Sequence, residues 1–411
     1  MEAQHNSPSA KRPSSLKFFI LALLGVLCAA AIVWVVFINL PRPDFAVSQN
    51  LETGGANGLT NGLTNGLASG QVDDQASPQT DAPELPFNAC VVYSPGYLIN
   101  LGGMEKMHPF DIRKYEKIHN GLINDGLLTE EQTLKPAPLT QDDLLLIHSK
   151  EYLEDLQERK KIAEYLEAPI LQYAPLKLDR AVLGPFLRAS GGTLLAARQA
   201  LETGIGINIG GGYHHAKPDR GEGFCLYADV PIAIRKLQSE KLIERALVID
   251  VDVHQGNGTI VCLPDDSTFT FSMHQGDIYP TPKEIGDLDV ELSGGMKDEE
   301  YLKIMAEHLP KILDESEADI CFIVGGCDTL DGDPLASLKM TADGIVKRDH
   351  AIVQACEQRN MPVVLTLSGG YSPDAWKSQY MSIKNIVEAY GLSDKVSVEE
   401  EQTKKTSKKS N

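Results

Sequence analysis

The 411-residue chain has no C-x-x-C pair, and its seven cysteines, at 28, 90, 225, 262, 321, 327 and 356, are odd in number. This excludes a cysteine-ligated zinc site and gives no sign of a disulfide framework, so the thiols are expected to pack as small hydrophobes, Cys225 and Cys327 included. Basic charge is also scarce: 38 Lys and Arg stand against 57 Asp and Glu, for a formal charge of −19. Nucleic-acid binders carry a basic footprint, and none is present, so a nucleic-acid partner is excluded. The 42% hydrophobic content is ample for a large core.

Charge of either sign is missing from residues 18–40, "FFILALLGVLCAAAIVWVVFINL". That is as long as the roughly 20 residues a helix needs to cross a bilayer. A cleaved signal peptide is the rival, with "AAA" at 29–31, but the apolar run continues well beyond it. The expectation is therefore a basic N-terminus (1–17) and a membrane anchor (18–40). Lys11, Arg12 and Lys17 precede the span, and after Arg42 no Lys or Arg appears before Lys106. The positive-inside rule then puts the N-terminus in the cytoplasm and the main domain outside it. Residues 41–86, with "GGANGLTNGLTNGLASGQ", read as a flexible linker, and 396–411 as a disordered charged tail.

Between 87 and 395 the pattern changes. "ACVVYS" (89–94), "GINIGGG" (206–212), "ALVIDVD" (246–252), "TFTFSMH" (268–274), "DICFIVGG" (319–326) and "PVVLTLSGG" (362–370) are continuous β-branched runs, as buried parallel strands require. Amphipathic helices separate them. One starts near 298, with Asp298 as expected N-cap and Pro310 as a place to kink or split; another starts at 342. The alternation predicts a three-layer α/β/α fold with a mostly parallel sheet.

The unusual residues gather where the strands end: "GGGYHH", "DVDVHQGNG", "SMH", "GGCDTLDGDP" and "SGGY". Ligands of open parallel sheets bind beyond those carboxyl ends. Asp250, Asp252 and His254 alternate and so share a strand face, and Asp328 ends another buried strand. Buried carboxylates that close together require a cation. Two carboxylates and one imidazole with an open fourth position suit a catalytic zinc, although spacing alone would also allow Mn²⁺ or Fe²⁺. His214 and His215 would supply a base and an acid, and Tyr371 a hydrogen bond to an oxyanion; together these describe hydrolysis of an acyl bond. Asn257-Gly258-Thr259 is a glycosylation sequon inside this group, where a glycan would disrupt it.

"GGGYHHAKPDRGEGFC", "VIDVDVHQGNG", "GGCDTLDGDPL" and "LTLSGGY", in that order, resemble the zinc-dependent histone deacetylase family of the arginase/deacetylase fold, from about Val91 to the 380s. "SPGYLINLGGMEKMHPFD", "HSKEYL", "DRGEGFCLYAD", "GIVKRD" and Asn257 in place of the usual Asp are similar to its class IV branch. The resemblance implies Asp252, His254 and Asp328 as ligands of one catalytic Zn²⁺. It implies His214 and His215 as the histidine pair, contacted by Asp250 and Asn257 respectively, and Tyr371 as the carbonyl-polarising tyrosine. Phe224 and Tyr279 would wall an acyl-lysine channel, with Gly223 accepting from the substrate amide. A potassium-type monovalent cation site would draw on Asp250, Asp252, His254, Ser272 and, by backbone, Met273. The implied activity is deacylation of an acyl-lysine protein or peptide. The alternatives are an amidohydrolase acting on small acylated amines such as acetylpolyamines and a tethered binding module without turnover.

Overall fold

The computed structural model describes residues 84–173 and 175–393. Seven strands form one sheet: β1 Asn88–Val92, β2 Gly204–Asn208, β3 Ala246–Asp250, β4 Thr268–Gln275, β5 Leu288–Leu292, β6 Ile320–Val324 and β7 Val363–Thr366. Their order is β1-β2-β7-β6-β3-β4-β5, and every pairing is parallel. β2, β3, β6 and β7 are buried along their whole length, which is why their sequences are unbroken apolar runs.

The layers follow from the order. The principal helices are α1 Lys114–Asn124, α2 Gly184–Thr203, α3 Asp229–Ser239, α4 Asn257–Cys262, α5 Asp298–Glu315, α6 Ala342–Glu357 and α7 Ala375–Tyr390. From β1 to β5 each successive strand is added in one direction along the sheet; β6 and β7 then return in the other. Right-handed crossovers place the helices of the two journeys on opposite faces. Packing agrees, since α2 touches α3 and α3 touches α4, whereas α5 touches α6, α6 touches α7 and α7 touches α1. The expected three-layer α/β/α arrangement is observed, with a sheet that is wholly parallel among the described residues.

The structure corrects several details. β5 was not expected: it is an edge strand carrying Asp289 and Glu291, and such strands are charged because one side meets solvent. Asp298 is the first residue of α5 and not its cap, which is Lys297. The Asp298 carboxylate instead accepts from the backbone N–H and hydroxyl of Thr341, the N-cap of α6, at 2.8 and 2.6 Å. Pro310 lies within a single helical span and does not split it. The single-pass membrane localisation is also set aside. Among the described residues no helix is long and apolar enough to cross a membrane, and residues 18–40, like 1–17, 41–83 and 396–411, lie outside them.

His148 locks the long loop between β2 and α3. Its Nδ1 donates to the Lys217 carbonyl at 3.0 Å and its Nε2 accepts from the Ala228 N–H at 3.0 Å, so the ring is neutral with both nitrogens used. Burial lowers its pKa to about 4. A histidine depressed on folding contributes stability that is complete above its unfolded value near 6.5 and is lost as the pH falls from there towards 4. The loss amounts to about 3 kcal/mol at most. Urea unfolding at pH 7 and pH 4.5 is expected to show that decline, and a His148→Gln variant, less stable at pH 7, is expected to show a shallower one; equal slopes would contradict this account.

Candidate active site

Each loop leaving the sheet is shaped by buried hydrogen bonds. After β2, Gly211 and Gly212 have φ of 69° and 78°. A Cβ at Gly211 would lie 2.5 Å from Asp229 Oδ2, and one at Gly212 would lie 2.8 Å from Ser368 N, so only glycine permits this path. The Asp229 carboxylate accepts from the N–H groups of Gly212 and Tyr213 at 2.9 and 2.7 Å and delivers His214 and His215 to the site. After β7, Gly369 comes so close that a Cβ would sit 2.2 Å from Asp328 Oδ2, and its N–H donates to Asp252 Oδ2 at 2.8 Å.

β3 ends at Asp250, so Asp252 and His254 belong to the loop beyond it and not to a continuing strand face. The loop turns on its own carboxylates. Asp250 Oδ1 accepts from Asp252 N–H at 3.1 Å, Asp252 Oδ1 accepts from His254 N–H at 3.0 Å, and Asp328 Oδ1 accepts from Val253 N–H at 2.8 Å. The result gathers Asp252, His254 and Asp328, all buried, with one potential ligand atom of each within 4.8 Å of the others. His254 Nδ1 is 3.2 Å from both Asp252 Oδ1 and Asp328 Oδ2.

The electrostatics of this group call for a cation. Burial and the neighbouring Asp252 charge push the Asp328 carboxyl up to about 7. Burial opposes charge on His254 as well, yet the hydrogen bonds and charges of Asp252 and Asp328 raise it to about 10, as if a proton filled the position of a positive ion. Two hard oxygens and one imidazole nitrogen converging from three buried side chains fit a divalent ion of the zinc type.

The histidine pair differs by its partners. His214 Nδ1 donates to Asp250 Oδ2 at 2.8 Å, and its Nε2 lies 3.8 Å from Asp252 Oδ1. Burial resists its charging, but Asp250 and Asp252 prevail and raise it to about 9. His215 Nδ1 meets the Asn257 amide oxygen at 2.7 Å, and burial together with the positive charge of His214 and His254 holds it well below 6.5. The two rings are 4.0 Å apart between centroids. Asn257 is buried with both ends of its amide engaged, so the folded sequon has no room for a glycan.

Tyr371 stands across from these groups, its ring 6.2 Å from that of His254. Burial, reinforced by Asp252 and Asp328, raises its phenol well above 10, so it is a neutral donor. Phe224 and Tyr279 pack onto this group: the Phe224 ring is 6.0 Å from Tyr371, and Tyr279, 38% exposed, packs against His215 at 4.9 Å. Gly223 and Phe224 both have positive φ, and the Gly223 carbonyl lies 3.3 Å from the Cys225 thiol. Ser272 pairs in register with Asp250 on the adjoining strand, with Met273 next to it, but the Ser272 hydroxyl is engaged by His274 Nδ1 at 2.9 Å. Cys225 and Cys327 are buried, and burial raises both thiols, Cys327 to about 12, so they pack and do not react.

Several contributors escaped the sequence reading. Asp333 Oδ2 accepts from the N–H groups of Tyr371 and Ser372 at 2.8 and 3.2 Å and so places the tyrosine; it lay inside the motif "GGCDTLDGDPL". His108 packs on Phe224 at 4.5 Å and extends the aromatic wall. Lys114, buried, donates to the carbonyls of Ser368 and Gly369 at 2.7 and 2.9 Å, and Arg348, also buried, donates to those of Val251 and Gly326 at 3.0 and 2.8 Å. A buried Lys or Arg has no local signature in sequence. A cavity of about 210 Å³ lined by Lys114, Tyr371 and Trp376 opens beside the tyrosine.

The family model described as "Histone deacetylase domain" matches residues 108–387. "Histone deacetylase 2" of Arabidopsis thaliana is 36% identical over 301 residues, covering 72% of this chain and 78% of that protein. "Acetoin utilization protein AcuC" of Staphylococcus aureus is 27% identical over 301 residues, covering 67% and 77%. Among solved structures the HDA15 HD domain superposes with a TM-score of 0.56 at 20% identity, covering 69% of this chain and 84% of that one, a likeness of fold. With the matched region spanning most of the chain and ending only after the last of these loops, the protein belongs to the histone deacetylase family of hydrolases.

Proposed function

We propose that the protein is a zinc-dependent lysine deacylase of class IV type, its catalytic domain at about 87–395, cleaving the amide of an acyl-lysine protein or peptide. What carries this reading is the pairing of two unlike histidines, one held by a carboxylate and one by an amide, beside the Asp252, His254 and Asp328 group. A zinc ion held by those three residues would supply Lewis acidity, polarising the amide carbonyl and acidifying a water.

The protein's own groups divide the remaining work. His215, neutral, takes a proton from the attacking water and returns it to the departing amine. His214, kept cationic by Asp250, stabilises developing negative charge, and the Tyr371 phenol donates a hydrogen bond to the oxyanion. Asp333 aims that phenol through the backbone of Tyr371. Phe224 and Tyr279 would enclose the acyl-lysine stem, with the Gly223 carbonyl receiving the substrate N–H. The register pairing of Asp250 with Ser272 supports a potassium ion near Asp250, Asp252, His254, Ser272 and Met273.

Turnover of an acetyl-lysine and a myristoyl-lysine peptide, each abolished by chelation and restored by Zn²⁺, is the expected result; cleavage of acetylpolyamine alone would move the substrate class to small amines, and no cleavage of any would overturn the reading. Tyr371→Phe should lower kcat by about 100-fold, the order found when one oxyanion donor is removed. Asp252→Asn and Asp328→Asn should each weaken Zn²⁺ binding at least about tenfold in competition with a chromophoric chelator; unchanged affinity would remove these residues from the ligand set. Asn257→Asp supplies an anionic partner that favours the imidazolium of His215. Because only the neutral ring accepts a proton, the acid limb of kcat/KM should move to higher pH, and a stationary limb would reassign the base.

A further inference from the structure

Glu222 stands two residues before Phe224 of the aromatic wall, in the sequence "GEGF" (221–224). Its Oε1 accepts from the Asn257 Nδ2 amide at 3.0 Å and from the Tyr279 hydroxyl at 2.6 Å. Its Oε2 receives Arg220 Nε at 3.2 Å, with Lys217 Nζ at 3.6 Å. Two cations and two hydrogen-bond donors thus surround a carboxylate whose side chain is 24% exposed, and it is ionised at neutral pH.

The hydrogen-bond logic runs inwards from there. An ionised carboxylate only accepts, so the end of the Asn257 amide facing Glu222 must be the NH₂ group. The amide oxygen is then the end facing His215 Nδ1, at 2.7 Å. An amide oxygen also only accepts, so Nδ1 of His215 must carry the hydrogen, and the lone pair is left on Nε2. Turned by 180°, the amide would set oxygen against carboxylate and demand a lone pair on Nδ1, which moves the hydrogen to Nε2 and removes the proton acceptor. An aspartate at 257 would need no such guidance, because both its oxygens accept. The asparagine has two unlike ends, and something must choose between them.

We propose that Glu222 is a positioning residue that fixes the orientation of the Asn257 amide and, through it, the tautomer of His215. The claim about the tautomer stands on these contacts, and its consequence for rate rests on the deacylase reading above. Tyr279 shares the acceptor oxygen, so the wall of the proposed channel and the base of the reaction are joined through one carboxylate.

Long-range ¹⁵N–¹H correlation spectra of the zinc-loaded full chain, labelled at histidine, read the tautomer directly. The expected parent pattern for His215 is hydrogen on Nδ1 and a lone pair on Nε2. Glu222→Ala should convert it to a mixture or to the Nε2–H form, with kcat down by about tenfold, the lower end of the range for lost outer-shell partners. Glu222→Gln, which keeps a carbonyl acceptor for Asn257, should restore part of both, and it serves as the readable variant if Glu222→Ala does not fold. The decisive measurement is made in the Asn257→Asp background. There Glu222 faces another carboxylate and has no amide to orient, so Glu222→Ala should cost clearly less kcat than in the parent, whereas a residue acting only on the fold or through Tyr279 would cost the same in both backgrounds. Equal losses in the two backgrounds, or a parent His215 carrying its hydrogen on Nε2, would overturn the proposal. A parent chain that turns over no acyl-lysine would end the deacylase reading, and the spectra would still decide what Glu222 does.

Discussion

Asp250, Asp252 and Asp328 lie buried at the carboxyl ends of two neighbouring strands, and much of the architecture around them answers the charge they carry. Desolvating carboxylates in such proximity is unfavourable by several kcal/mol each unless positive groups or hydrogen bonds compensate. The compensation here comes in layers. Backbone N–H groups of Asp252, Val253, His254 and Gly369 point at the carboxylate oxygens. His214 sits against Asp250 and His254 against the other two. Lys114, held by the carbonyls of Ser368 and Gly369, lies behind the loops where Asp252 and Asp328 favour its charge, whereas Arg348, which ties the carbonyls of Val251 and Gly326, has its own charge paired with Asp349 at 2.8 Å. What this leaves is a point where three ligand atoms converge and one more positive charge is favourable, which is the condition for holding a metal ion.

The same constraint explains why the two histidines must differ. A second carboxylate beside His215 would add negative charge to a region already crowded with it and would bias the ring towards the imidazolium, which cannot accept a proton. The neutral amide of Asn257 avoids both, and His215 stays far below its ordinary pKa while His214, a few ångströms away, stays far above it. Adjacent groups with opposed protonation preferences are what acid–base chemistry at one pH requires.

Much of this was readable in one dimension. Buried parallel strands must be apolar on both faces, so β2, β3, β6 and β7 appeared as continuous runs, and the glycines and acids just beyond them marked the loops. The alternation of Asp250, Asp252 and His254 led to the right group for a partly wrong reason: the strand stops at Asp250, and the carboxylates themselves turn the loop that brings Asp252 and His254 to Asp328. Lys114 was invisible because its partners lie 254 and 255 residues away, and Arg348, although its ion-pair partner Asp349 is its sequence neighbour, gave no sign of the carbonyls it holds 97 and 22 residues away. β5 was hidden by its charges, and Asp298 was misread because its acceptors serve a second helix and not its own. Local pattern reports which elements form; it carries little about which distant backbone a buried cation will hold.

The loops of the site are locked to one another by the protein's own hydrogen bonds. Gly212 accepts from the Ser368 hydroxyl, Gly369 donates to Asp252, Val253 donates to Asp328, and Thr259 donates to the His214 carbonyl, so the loops after β2, β3, β6 and β7 form one network of buried hydrogen bonds. A network of this kind holds reacting groups in place without reorganisation at the moment of reaction, where electrostatic stabilisation is most effective. The rim is built differently. Tyr279 is partly exposed, Phe224 adopts a left-handed backbone, and Glu222 is held by Asn257 at the start of α4, by Tyr279 of the loop after β4 and by Arg220 of its own loop. The hydrogen bonds of Glu222 to Tyr279 and to the Asn257 amide, which in turn meets His215, connect this outer part to the buried histidine pair through a single carboxylate.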